Sequence, residues 1–226
     1  MKKFFDMNSP VMVSLGKVTD CIWMSLLWLL CSLPLFTLGA ATTALYRNMM
    51  HIRENKETGA SFFFHSFVEN FKKSTLCWMI IALMAGLVVL VGYGTFHLKE
   101  APTLTAMSAI LLLCSILVLV IFIYVFPLLS FFENTVGNTM KNAFLIGIRN
   151  PLCTLLASAF ILAPVVLYLL NPFIFLYLFP VWIFAWPGTA AYIMSKRFRK
   201  VFLQYVPKEP EESEEPKELN DEDSED

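Results

Sequence analysis

Four long stretches of this chain contain no Asp, Glu, Lys or Arg. They cover 21–46, 74–98, 101–132 and 150–195, and are 26, 25, 32 and 46 residues long. A helix needs about 20 apolar residues to cross the hydrocarbon core of a bilayer. Each of the first three suits one crossing, and the fourth suits two. Asn171-Pro172 falls near the middle of the fourth. Proline lacks a backbone donor and disfavours helix in the residue before it, so a tight turn is expected there. The reading is an all-α, polytopic helical membrane protein with about five transmembrane helices. Spans are expected near 21–45, 75–98, 103–131, 151–170 and 173–194. A closed barrel would need short segments alternating apolar and polar. Runs such as 109–124, apolar on every side, exclude it.

Charge divides the chain in two. Residues 207–226 hold eleven acids against two bases, a net of −9, whereas 1–206 hold fifteen bases against seven acids. Residues 1–206 therefore read as the membrane domain. Residues 207–226 read as a disordered acidic tail, because such a composition cannot bury a core. Basic residues prefer the cytoplasmic side. Placing 47–73, 133–149 and 196–226 inside satisfies most Lys and Arg and puts the C-terminus in the cytoplasm. The N-terminal arm, with Lys2, Lys3 and Lys17, is discordant in a five-span arrangement. The alternative is four spans plus an N-terminal re-entrant hairpin, broken at Pro34 and Gly39, with both its ends cytoplasmic.

Two groups of residues stand out as candidate sites. Pro34, Gly39, Thr42, Thr43 and Tyr46, with Thr37, form a polar cluster beside a proline. Hydroxyls can restore hydrogen bonds that a proline kink leaves open. The same cluster could act as a hinge or touch a small ligand. The second group is Phe62, Phe63, Phe67, Phe71, Lys72 and Lys73. Its aromatic residues fall largely on one helical side and its polar ones mostly on the other. That pattern suits a helix in the headgroup plane or a partner face; ordinary amphipathicity beside a span would look the same.

No chemistry-bearing constellation is present. No ionisable Asp, Glu, Lys or Arg lies inside an expected span, which argues against proton-coupled transport and against an intramembrane aspartyl protease. His51, His65 and His97 lack metal-ligand spacing. The five cysteines form no C-x-x-C pair and read as small hydrophobes. No catalytic, cofactor or metal residue is assigned, and no nucleic-acid partner is expected.

The stretch from Leu26 to Tyr46, LLWLLCSLPLFTLGAATTALY, resembles the signature of the YesL-like membrane proteins of Gram-positive bacteria. The aromatic-basic segment 62–73, the span after it and the closing 197–202 are similar as well. Ala40 stands where the family signature tends to have proline. The resemblance implies a helical, non-enzymatic protein of the cell membrane with no assigned activity. It also implies an accessory or regulatory role beside an ATP-driven carbohydrate uptake system, whose subunits would be partners along with the lipid bilayer. A small permease for a neutral solute is the other reading.

Overall fold

A computed structural model describes residues 10–97 and 101–206. The expected acidic tail, 207–226, lies outside the described residues. All regular elements among them are helical: α1 Pro10–Ser32, α2 Leu38–Arg53, α3 Ala60–His97, α4 Ala101–Phe131, α5 Val136–Arg149, α6 Pro151–Leu170, α7 Pro172–Tyr177, α8 Phe179–Phe184 and α9 Trp186–Phe202, with a single 3-10 turn at Leu35–Thr37. Among the described residues, four helices are long and apolar enough to cross a membrane, within α1, α3, α4 and α6. The chain is an all-α polytopic membrane protein.

The span expected over 21–45 is two helices rather than one. Pro34 takes extended backbone angles (φ −74°, ψ 109°), and the chain turns back through the 3-10 turn. α1 and α2 then run antiparallel. Trp28 faces Thr42 at 3.1 Å, and the Cys21 and Met49 sulfurs are 3.9 Å apart. A proline cannot donate into the helix before it, and the Thr37 hydroxyl stabilises the turn by donating toward the Cys31 and Pro34 carbonyls (2.5 and 2.6 Å). The N-terminal hairpin is therefore the observed geometry.

α2 leads through the 54–59 loop into α3. Asn55 (φ 52°) and Gly59 (φ 132°) carry the positive backbone angles of that reversal, which glycine adopts without steric cost. α3 is one helix of 38 residues, about 57 Å long at 1.5 Å per residue. Residues 62–73, expected as a separate in-plane helix, are its first third. Phe63 is fully buried with Leu45, Met49 and Ile52 of α2, whereas Phe62, Phe67 and Phe71 are half-buried. His65, Glu69, Lys72 and Lys73 remain exposed. Beyond Lys73 the exposed residues of α3 up to Gly94 are apolar or small, among them Leu83, Leu87 and Leu90. The water-facing and lipid-facing parts of one helix thus meet at Lys73.

The expected return span 173–194 is also broken. The Asn171 side chain caps α7, accepting from the Phe173 and Ile174 amides at 3.1 Å each. Pro180 and Pro187 then start α8 and α9, because the first turn of a helix is where proline's missing N–H costs no hydrogen bond. The Asn171-Pro172 turn is present as expected, and α6 occupies 151–170.

Packing is concentrated in one half. The main core joins Tyr124, Phe126 and Leu128 of α4 with Cys77 and Ile81 of α3, Ala143 and Ile146 of α5, and Phe198 and Phe202 of α9. The far parts of α3, α4, α6 and α7 have no comparable core; Leu169 and Phe173 are 74% and 85% exposed. Every Lys and Arg among the described residues falls in the packed half or at its border.

Candidate functional site

Glycine sets the approach of the first hairpin to its neighbours. A Cβ on Gly39 would stand 2.6 Å from the Ser74 carbonyl oxygen and 2.8 Å from Trp78 Cβ. Its absence lets α2 lie directly on α3. The Thr43 and Ser74 hydroxyls then pair at 2.9 Å, and the Trp78 indole donates to the Leu35 carbonyl at 2.8 Å. Gly188 does the same between α9 and α1. A Cβ there would meet the Cys21 carbonyl oxygen at 2.2 Å, and the Gly188 amide donates to the Ser25 hydroxyl at 2.8 Å. Close approach through small residues is the usual route to helix association in lipid.

These contacts leave a cavity of about 260 Å³ between α1, α2, α4, α6 and α9. Its wall is largely aromatic: Trp28, Tyr46, Phe122, Phe126, Phe160 and Trp186. The Phe160 and Trp186 rings lie 5.7 Å apart. Most of its polar groups are matched inside the protein. The Trp28 indole donates to Thr42, the Thr42 hydroxyl donates to the Leu38 carbonyl at 2.7 Å, and the Trp186 indole donates to the Phe160 carbonyl at 3.3 Å. The Tyr46 hydroxyl makes no hydrogen bond among the described residues. No ionisable Asp, Glu, Lys, Arg or His lines the space. Chemically, it can hold an apolar group against π faces and offer it one hydroxyl.

The cluster expected around Pro34 is divided by this geometry. Thr42 and Tyr46 line the cavity. Gly39 and Thr43 are buried against α3 on another face of α2, and Pro34 is exposed at the turn. The second group is divided as well. Phe62 lies 4.4 Å from the His51 ring and 5.9 Å below the Arg47 guanidinium. Phe63 is buried, Phe67 and Phe71 pack on each other at 5.5 Å, and Lys72 and Lys73 are exposed. The α4, α6 and α9 sides of the cavity carried no mark in the sequence beyond Pro164 and Pro187, because nothing local pairs Phe122 with Phe160 or Trp186.

At the basic end, Glu54 ties the hairpin to α9. Its carboxylate pairs with Lys56 and lies 2.7 Å from Arg199 Nε. The hydrogen bond from Lys56, and then the charge of Arg199, hold the carboxyl below its ordinary pKa against a partial opposing effect of burial. Arg53 adds a second tie, donating to the Tyr192 carbonyl at 2.6 Å and stacking over the Tyr192 ring.

Fold and cavity define a helical membrane protein with an apolar, uncharged interior site. Residues 21–93 match the model of a family described as "Protein of unknown function, DUF624"; the match takes in the second half of α1, all of α2 and most of α3. No curated protein and no solved structure matches the chain.

Proposed function

We propose that this chain is a non-enzymatic accessory subunit of a transport system in the cell membrane, with its basic end and its C-terminus in the cytoplasm. The supporting observation is the character of the cavity. It has no Asp, Glu, Lys, Arg or His side chain, and its indoles and Thr42 are already hydrogen-bonded to the protein. A hydrolytic site needs an activated nucleophile or a metal, and a sugar needs many free donors and acceptors. The orientation is supported by the gathering of Lys and Arg at one end, which the positive-inside preference assigns to the cytoplasm. The ATP-driven carbohydrate uptake system as partner rests on the YesL-like resemblance around Leu26–Tyr46. Purification from mild detergent at native expression tests it. Co-purification of a permease or ATPase subunit is expected, and its absence removes the reading.

A second reading, a small carrier for a neutral solute, is favoured by the Tyr46 hydroxyl left open beside the aromatic cavity. Vesicles reconstituted with the protein would then take up a neutral solute, and do so more slowly with Tyr46→Phe. Equal uptake by protein-free vesicles would eliminate it.

A further inference from the structure

A different cavity, about 330 Å³, lies where α5, α6 and α9 meet at the basic end. Arg149, Asn150, Arg197, Lys200 and Gln204 supply its polar lining, and no carboxylate does. Three cations therefore share one small space. Among the described residues none of the three has an acidic partner within 4.0 Å. Arg199 lies between two of them in sequence, yet it turns the other way, to Glu54. All three side chains are exposed, so they face the surroundings of the protein with no carboxylate of the described chain in ion-pair contact. The first turn of α6 borders the same space. Asn150 directs its amide to the Ile146 carbonyl at 3.0 Å rather than capping α6, so the positive end of that helix adds to the field.

The surroundings identify the anion. Leu152, which lines the cavity, is 78% exposed, and Ile148 and Leu203, each next in sequence to a lining residue, are exposed as well. A soluble anion gains nothing from such neighbours. A lipid headgroup does, because its acyl chains continue along the apolar surface that begins there. We propose that this cavity binds the phosphate of an anionic membrane lipid, with Arg149, Arg197 and Lys200 donating to its oxygens. Arginine and lysine are the usual partners of phosphate oxygens, and basic pockets between membrane helices suit such headgroups.

The test uses the full chain in detergent, titrated with short-chain phosphatidylglycerol, phosphatidylcholine and inorganic phosphate at one ionic strength, with bound lipid counted by native mass spectrometry. Phosphatidylglycerol should bind well above the other two. At about fivefold per cation, R197Q should weaken it about fivefold, and R149Q/R197Q/K200Q about a hundredfold. The charge-preserving R149K/R197K/K200R should keep most of the binding. K141Q, which removes an exposed cation elsewhere on α5, should leave it unchanged. Helix content by circular dichroism checks each variant, and R197Q alone carries the test if the triple variant does not fold. Wild-type affinity in a folded R197Q or triple variant would overturn the proposal. So would an equal loss in K141Q, and phosphate binding as tightly as the lipid would assign the site to a soluble anion instead.

Discussion

Individual residues decide how closely the first hairpin sits. Gly39→Ala places a methyl group 2.6 Å from a backbone oxygen that cannot swing aside. Overpacking of this kind costs about 1–3 kcal/mol, so the thermal midpoint in detergent should fall. Gly86→Ala, with nothing within 4 Å of its Cβ, should not lower that midpoint, and Ala's better helix propensity should raise it slightly. The Trp28–Thr42 hydrogen bond offers a finer measurement. Interhelical bonds in membrane proteins average about 0.6 kcal/mol in double-mutant cycles. A cycle of Trp28→Phe and Thr42→Val should give a coupling of about that size, and additivity would show the bond to be idle. Thr43 illustrates what residue type alone conveys. Its place beside a proline marked it as a hydrogen-bonding group in the sequence. Its partner, Ser74, lies 31 positions away and no local pattern points there.

Among the elements, those fixed by length and charge were legible in advance. α4 and α6 lie where neutral runs and Asn171-Pro172 put them, since the cost of unpaired backbone in lipid leaves a long apolar run little but helix. The hairpin was harder to read. Hydropathy along 21–46 is the same whether the helix continues or folds back. The signal was a single proline, and the outcome depends on Gly39 meeting Ser74 across space. The 62–73 segment shows the same limit. Its two-sided pattern was plain, but an apolar stripe fits a bilayer surface and the side of α2 equally well. Phe63 separates the two arrangements. Phe63→Ala should cost about 3–5 kcal/mol, the usual loss for a buried Phe. Phe64→Ala, on the exposed side at 47%, should cost far less; equal effects in a detergent unfolding titration would contradict the packing described.

At the scale of the molecule, Glu54 gives a pH dependence with a definite sign. Its folded pKa is held below the ordinary value by Lys56 and Arg199, so the stabilisation is fully present above the unfolded carboxylate pKa. It is lost as pH falls through the lowered folded value. The thermal midpoint should therefore decline on acidification below about pH 4.5, and Glu54→Gln should flatten that decline. An unchanged slope in Glu54→Gln would assign the acid sensitivity elsewhere. The same contact joins the end of α2 to α9, so loosening it should raise hydrogen exchange in the 54–59 loop first.

Interlocked side chains crowd one end, and so stiffness is graded along the long axis. The distal arms of α3–α4 and α6–α7 have exposed apolar faces and no comparable core, so their spacing would depend on the acyl chains around them. A thinner or more fluid bilayer would let them part while the basic end held its shape. The aromatic chamber between α4 and α6 would then widen with the composition of the lipid around it.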